Sequence, residues 1–368
     1  MTTSLSPAAR LPEFPWDQLI GAKRTAAAHP GGLVDLSIGT PVDPVCTPIR
    51  RALGDAANSP GYPTVHGTDA LRRSYTGWLA RAHGIDHLDE RDVLPTLGSK
   101  ELVASLPAQL GLGAGDVVVI PEIAYPTYEV GALSAGATPV RSDGLAGLGP
   151  ERPKLVWINS PSNPTGRVLP VEHLAKVVDW ARAHGAVVAS DECYIDLGWD
   201  AQPVSILHPD VSGGDHTNLL AVHSLSKRSN LAGYRVGFVS GDPALIGDLL
   251  QLRKHLGFML STPIQAAAIA ALDDDSHVQA QRGRYEQRRT ALAEALESAG
   301  YRISNSEAGL YLWATRGEPA AATIERLAAD GILAAPGTFY GPGGAQHVRI
   351  ALTATDERVQ AACERLAG

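Results

Sequence analysis

Cysteine is scarce: three in 368 residues, Cys46, Cys193 and Cys363, odd in number and far apart. That excludes a disulfide framework and C-x-x-C zinc spacing, and it fits a reducing cytoplasm. Excess positive charge is absent as well. At a net charge of −8, no basic stripe is available to neutralise a nucleic-acid backbone. No apolar run approaches the roughly 18 residues of a membrane span, and "MTTSLSPAARLPEFPW" lacks the uninterrupted apolar core of an export signal. Nucleotide loops are missing too. "GLGAGD" (111–116) has no third glycine at the right offset and precedes its strand, and no G-x-x-x-x-G-K-[ST] occurs. His66, His83, His87 and His347 show no ligand spacing and read as surface or turn histidines, so no metal is expected. Small-molecule chemistry in a chain of roughly two domains is what these absences leave.

Lysine is the last scarcity and the most informative. Only six of the 31 basic residues are lysines, so arginine carries the ordinary surface charge. One of the six, Lys227, sits in the serine-rich turn of "HSLSKRSNLAGYRVGF" (223–238), directly after an apolar run.

That run belongs to a series. "DVVVI" (116–120), "KLVWIN" (154–159), "AVVAS" (186–190), "NLLAVH" (218–223) and "YRVGFVS" (234–240) read as buried strands. Between them "VEHLAKVVDWARAHG" (171–185) puts Val171, Leu174, Val178 and Ala181 on one helical face before a glycine cap. "SKELVASLPAQLGL" (99–112) repeats the pattern across Pro107. The alternation implies an α/β fold, a mostly parallel sheet flanked by helices. After residue 256 the texture changes to a long polar helix (277–300), the runs "GLYLWAT", "GILAAPG" and "HVRIALT", and a last helix from Asp356. A large domain over 36–256 is therefore expected, with a smaller α+β domain formed by 1–35 and 257–368.

Ligands of open α/β sheets bind outside the carboxyl ends of the strands. "NSPSNPTG" (159–166), "SDECY" (190–194) and "SLSK" (224–227) all fall there. Singly, each reads as readily as a turn, a helix cap or a surface lysine. Together they supply an amide, a carboxylate, a phenol and a lone lysine, the set that pyridoxal 5'-phosphate requires. Asp191 suits the ring nitrogen, and Asn163 and Tyr194 suit the ring oxygen. Lys227 suits the covalent anchor and proton carrier. The phosphate wants hydroxyls, an arginine and helix N-terminal amides, which Ser224, Ser226, Arg235 and the amides of Ser99 and Lys100 could provide.

S-x-S-K followed by G-x-R-x-G (Ser224, Ser226, Lys227, Gly233, Arg235, Gly237), with N-P-T-G and D-x-x-Y upstream, resembles the fold-type I, class I/II aminotransferases over nearly the whole chain. The resemblance implies the roles just assigned, with Asp191, Tyr194 and Lys227 carrying the chemistry. It adds Tyr125 stacking on the cofactor ring and Tyr62 reaching the phosphate of a second subunit, hence a homodimer with shared sites. It also implies that Arg349 and Gly39, together with Asn163, receive the substrate α-carboxylate. "DLSIGTPVDP", "SPSNPTGRVL" and "GLYLWATRGEP" are similar to N-succinyldiaminopimelate aminotransferases of lysine biosynthesis, which implies glutamate and N-succinyl-2-amino-6-oxopimelate as substrates. Aminotransfer to another amino acid (aspartate, alanine or an aromatic one) and a same-fold carbon–sulfur lyase are the alternatives. Lys100, Arg228 and Arg253 are candidate partners for a distal carboxylate by proximity to the motifs.

Overall fold

The structure is a computed structural model that describes residues 11–148 and 152–368. The first ten residues, part of the stretch read above as carrying no export signal and part of the expected small domain, lie outside the described residues. The strands are β1 (Val34–Asp35), β2 (Val93–Thr96), β3 (Val117–Ile120), β4 (Thr138–Arg141), β5 (Leu155–Asn159), β6 (Val187–Asp191), β7 (Leu219–Ser224), β8 (Gly237–Gly241), β9 (Arg302–Ser304), β10 (Tyr311–Thr315), β11 (Ile332–Leu333), β12 (Ala335–Pro336) and β13 (Val348–Ala351).

Seven of these form the main sheet in the order β2-β8-β7-β6-β5-β3-β4. The strands from β7 to β4 run parallel, whereas β8 is antiparallel to both its neighbours. Every residue of β5, β7 and β8 is buried, as apolar runs in a sheet covered on both faces must be. The covering helices carry one apolar stripe each. Val171–His184 buries Leu174, Val177, Val178 and Ala181, then stops at Gly185 in the left-handed conformation at φ 64°.

β12, β13, β10 and β9 make a second, antiparallel sheet, and β1 pairs with β11. The run "GILAAPG" divides between these two sheets, Ile332–Leu333 in one and Ala335–Pro336 in the other. The N-terminal Leu19, Val34 and Leu36 share a buried cluster with Leu310, Trp313 and Ile350. The expected strand 234–240 also begins late: Ala232–Tyr234 is a 3-10 turn, and Arg235 has φ 56°. The change of sequence texture after residue 256 does not coincide with a change of packing partner. The next helix, Thr262–Leu272, buries Ala267, Ala268 and Ala271 in the same core as Ile49, Leu71 and Trp78 of the large-sheet side. His83 is not a surface histidine: its Nε2 lies 3.2 Å from Asp196, and both side chains are nearly closed to solvent.

Candidate active site

Strand register assembles the site. Asn159 ends β5 opposite Asp191 at the end of β6, and Ser224 ends β7 opposite Gly237 at the start of β8. Because β8 runs backwards, its amino end reaches the edge where its parallel neighbours finish. β2, antiparallel to β8, finishes there too and leads through Leu97 and Gly98 into the helix Ser99–Gln109. Six of the expected residues, Asn163, Asp191, Tyr194, Ser224, Lys227 and Arg235, therefore leave the sheet on one side.

Lys227 is on the short helix Leu225–Arg228, and its Nζ donates to the Gly39 carbonyl. Burial pushes its ammonium below the ordinary lysine value; Tyr311 and Cys193 oppose this, and Arg349 and Arg235 add to it. Asp191 is likewise buried. Its Oδ2 accepts from the Tyr128 hydroxyl at 2.8 Å and its Oδ1 from the Cys193 amide at 3.2 Å. Burial nevertheless holds its carboxyl above the usual range, the expected state of a buried acid with no cation against it among the described residues. A protonated pyridine nitrogen is the kind of group that would restore the balance. Tyr128 is fixed by stacking on Trp157 at 5.0 Å and stands edge-on to Tyr125 at 5.8 Å. Burial lifts Tyr125 to about 12, so its hydroxyl stays neutral.

The phosphate-type donors form a second cluster. The Ser224 hydroxyl accepts from the Ser226 amide at 3.1 Å and lies 2.9 Å from the Ser226 hydroxyl. Gly98 precedes the helix Ser99–Gln109 with φ 80° and ψ 158°, and brings no side-chain cap. The first amides of that helix, from Ser99 and Lys100, are thus aimed outward. At Gly237 a Cβ would meet the His223 carbonyl, the Thr96 hydroxyl and the Ser99 amide at 2.8, 3.0 and 3.1 Å. Glycine is what allows the strand and the helix start to approach. Arg235 is exposed, donates to the Ala232 carbonyl at 2.8 Å, and borders Gly98. An anion of phosphate size suits this set of hydroxyls, amides and guanidinium.

Arg349 lies on β13, 2% exposed. Nη1 donates to Asn163 Oδ1 at 2.9 Å and Nη2 to the Ser37 carbonyl at 2.5 Å. Nε, also buried, has no partner among the described residues. A guanidinium buried with only neutral acceptors is prepared for a carboxylate.

Several expected residues stand elsewhere. Tyr62 is 96% exposed and within the single chain is not part of the cluster. Lys100 contributes its backbone amide, while its side chain is exposed and its Nζ lies 5.9 Å from the Phe14 ring. Arg228 and Arg253 are corrected from candidate substrate partners to core residues. Arg228 pairs with Asp196 at 2.8 Å and Asp275 at 3.4 Å under Trp78, and Arg253 pairs with Glu101 at 2.9 Å with no exposed side chain. Three residues were not anticipated: Tyr128 on Asp191, Cys193 beside it, and Tyr311, whose hydroxyl is 3.1 Å from that of Tyr194. "AYPTYEV" carried the signal for Tyr128, a second tyrosine one helical turn after Tyr125.

The model of the aminotransferase class I and II family matches residues 32–366. A Mycobacterium tuberculosis protein named "Probable aminotransferase Rv1178" is 62% identical over 97% of this chain and 86% of its own length. The 4-dedimethylamino-4-oxo-anhydrotetracycline transaminase OxyQ of Streptomyces rimosus is 57% identical over 97% of this chain and 99% of its own. Among solved structures, N-succinyldiaminopimelate aminotransferase from Mycobacterium tuberculosis superposes with a TM-score of 0.87 at 26% identity, covering 99% of both chains.

Proposed function

For a chain that belongs to the class I and II aminotransferases, we propose a pyridoxal-phosphate-dependent transaminase whose donor is held by its α-carboxylate. One observation carries the reading. The Arg349 guanidinium and the Lys227 amine donate to carbonyls only two residues apart, at Ser37 and Gly39. A carboxylate on Arg349 thus brings the neighbouring Cα to Lys227. When bound, the cofactor supplies an electron sink for the pair left at Cα by loss of its proton. Lys227 Nζ would anchor it and carry that proton, a role favoured by the burial that lowers its pKa. Asp191 would pair with the ring nitrogen, with Tyr128 and the Cys193 amide orienting the carboxylate. Asn163 and Tyr194 would serve the ring oxygen, and Tyr125 would pack on the ring. Ser99, Lys100 (through its amide), Ser224, Ser226 and Arg235 take the phosphate. A second copy of the chain would cover the exposed Tyr62 and bring it to the partner site, making the enzyme a homodimer; the scarcity of cysteine favours a cytoplasmic one. The packing of the helix Thr262–Leu272 favours a domain boundary inside the helix Ser276–Ser298, later than the texture change suggests.

Among substrates we rank N-succinyl-LL-2,6-diaminopimelate with glutamate first, on the motif texture and the 0.87 superposition with N-succinyldiaminopimelate aminotransferase. A second reading is amine transfer to a polycyclic ketone. It is favoured by the 57% identity to OxyQ and by the withdrawal of Arg228 and Arg253 into the core. The test of the common reading is borohydride reduction of the protein loaded with pyridoxal phosphate, followed by peptide mapping. Label on Lys227 is expected; label on Lys100 or Lys254 overturns the assignment.

A further inference from the structure

β10 and β13 pair antiparallel with Trp313 opposite Arg349. Tyr311, two residues before Trp313, therefore lies diagonally from Arg349 on the same face. Its ring spans the diagonal: the centroid is 4.0 Å from Arg349 Cζ, within the range of a cation–π contact. The ring and the two bonds to Asn163 and Ser37 together fix the plane of the guanidinium. At its other end the Tyr311 hydroxyl is 3.1 Å from the Tyr194 hydroxyl. It also lies against Gly39, where any Cβ would overlap it, and the Gly39 carbonyl receives Lys227 Nζ. One side chain thus touches the carboxylate grip, a ring-oxygen donor and the backbone that receives the anchoring amine.

The two phenols are not equivalent. Burial lifts Tyr194 well above its ordinary value, and Tyr311 adds to this. For Tyr311 burial pulls the same way but is outweighed by Arg349, Lys227 and the Tyr194 contact, so its phenol is held below the usual tyrosine value. The two hydroxyls are 3.1 Å apart and either can donate; with Tyr311 as the donor, the Tyr194 proton is free for another acceptor.

We propose that Tyr311 is a positioning residue for amino transfer: its ring sets the Arg349 fork for the substrate carboxylate, and its hydroxyl aims the Tyr194 proton at the cofactor. The proposal rests on the transaminase reading. Two variants of the loaded enzyme separate the two parts. Tyr311→Phe keeps the ring and should leave KM for the amino donor within about twofold of wild type, but move the pH midpoint of the cofactor absorption band by about half a unit or more. Tyr311→Leu removes the ring as well and should raise KM about tenfold or more. A merely structural tyrosine would move neither the midpoint in the phenylalanine variant nor KM selectively in the leucine variant. Tyr311→Met serves the same comparison should the leucine variant not fold. An unmoved midpoint with phenylalanine, or an unmoved KM with the aliphatic variant, overturns the proposal. A wild-type protein that shows no pyridoxal phosphate band and accepts no amino group overturns the transaminase reading itself, which separates the two failures.

Discussion

Burial of Lys227 and of Asp191 works against the stability of the free protein in opposite pH directions. Lys227 has a folded value depressed below its ordinary one. Between those two values the unfolded chain binds the extra proton, so stability rises with pH through that window, and the penalty is complete below it. Asp191 has a raised folded value. Between the ordinary carboxylate value and the raised one the folded chain binds the extra proton, so stability falls as pH rises, and the penalty is complete above that window. Lys227→Met should therefore raise the Tm of the cofactor-free protein near pH 7, with the gain shrinking toward pH 10.5, the ordinary lysine value. Asp191→Asn should also raise it, with the gain shrinking toward pH 3.8. Both variants should lose activity, Lys227→Met by about 10²–10⁴ for the missing proton carrier. Thermal melts across pH check this, and a Tm lowered by either change at pH 7 would contradict the assigned burial costs. These residues are legible in the sequence because each is a polar group at the end of an apolar run, and for Lys227 because lysine is scarce. Tyr311 carries no such signal, since a buried tyrosine on a strand looks like any core aromatic until its hydroxyl is seen to have a polar neighbour, and for Tyr128 the spacing from Tyr125 is the only hint.

The elements that hold the phosphate cluster depend on backbone that side chains rarely tolerate. Gly98 stands at φ 80° and ψ 158°, a region open almost only to glycine and costing other residues about 1–3 kcal/mol. A Cβ there would also press on the Arg235 guanidinium. Gly98→Ala is expected to weaken pyridoxal phosphate binding about tenfold or more while the far-UV circular dichroism stays native. Unchanged affinity in a cofactor titration would take the phosphate away from this helix start. Strand legibility followed chemistry in the same way. β3, β5, β6 and β7 were read within a residue or two because they are apolar runs in a covered sheet. β2 and β4 were missed because Pro95 and Pro139 break the pattern. Each is an edge strand, the position where a sheet tolerates a residue that cannot donate.

Across the whole molecule, the mostly parallel sheet and the long polar helix are legible from periodicity, whereas the sequence pattern gives only an α+β texture for the part that forms the antiparallel sheet. The packing of the helix Thr262–Leu272 is not legible either, because its alanines fit either side equally well by pattern. The same limit applies to the substrate. The role of Arg349 toward an α-carboxylate comes from the family resemblance and not from its place inside β13, and sequence proximity to the motifs misplaces Arg228 and Arg253, which close the core. With those two arginines in the core, a strong preference for a succinylated donor needs another cation for the distal carboxylate, and the exposed Lys100 would add only about 0–1 kcal/mol as a surface ion pair. Single-turnover loss of the cofactor band against a panel of donors tests this. Removing the α-carboxylate should cost at least about a hundredfold in kcat/KM, as loss of a buried charge-assisted pair does. Under the first-ranked reading N-succinyl-LL-diaminopimelate should exceed alanine and phenylalanine by about tenfold or more, or about 1.4 kcal/mol. If a polycyclic amine reacts best instead, the ketone reading takes precedence, and if phenylalanine does, transfer from an aromatic amino acid does, with Arg349 still expected to bind the carboxylate of the amino donor.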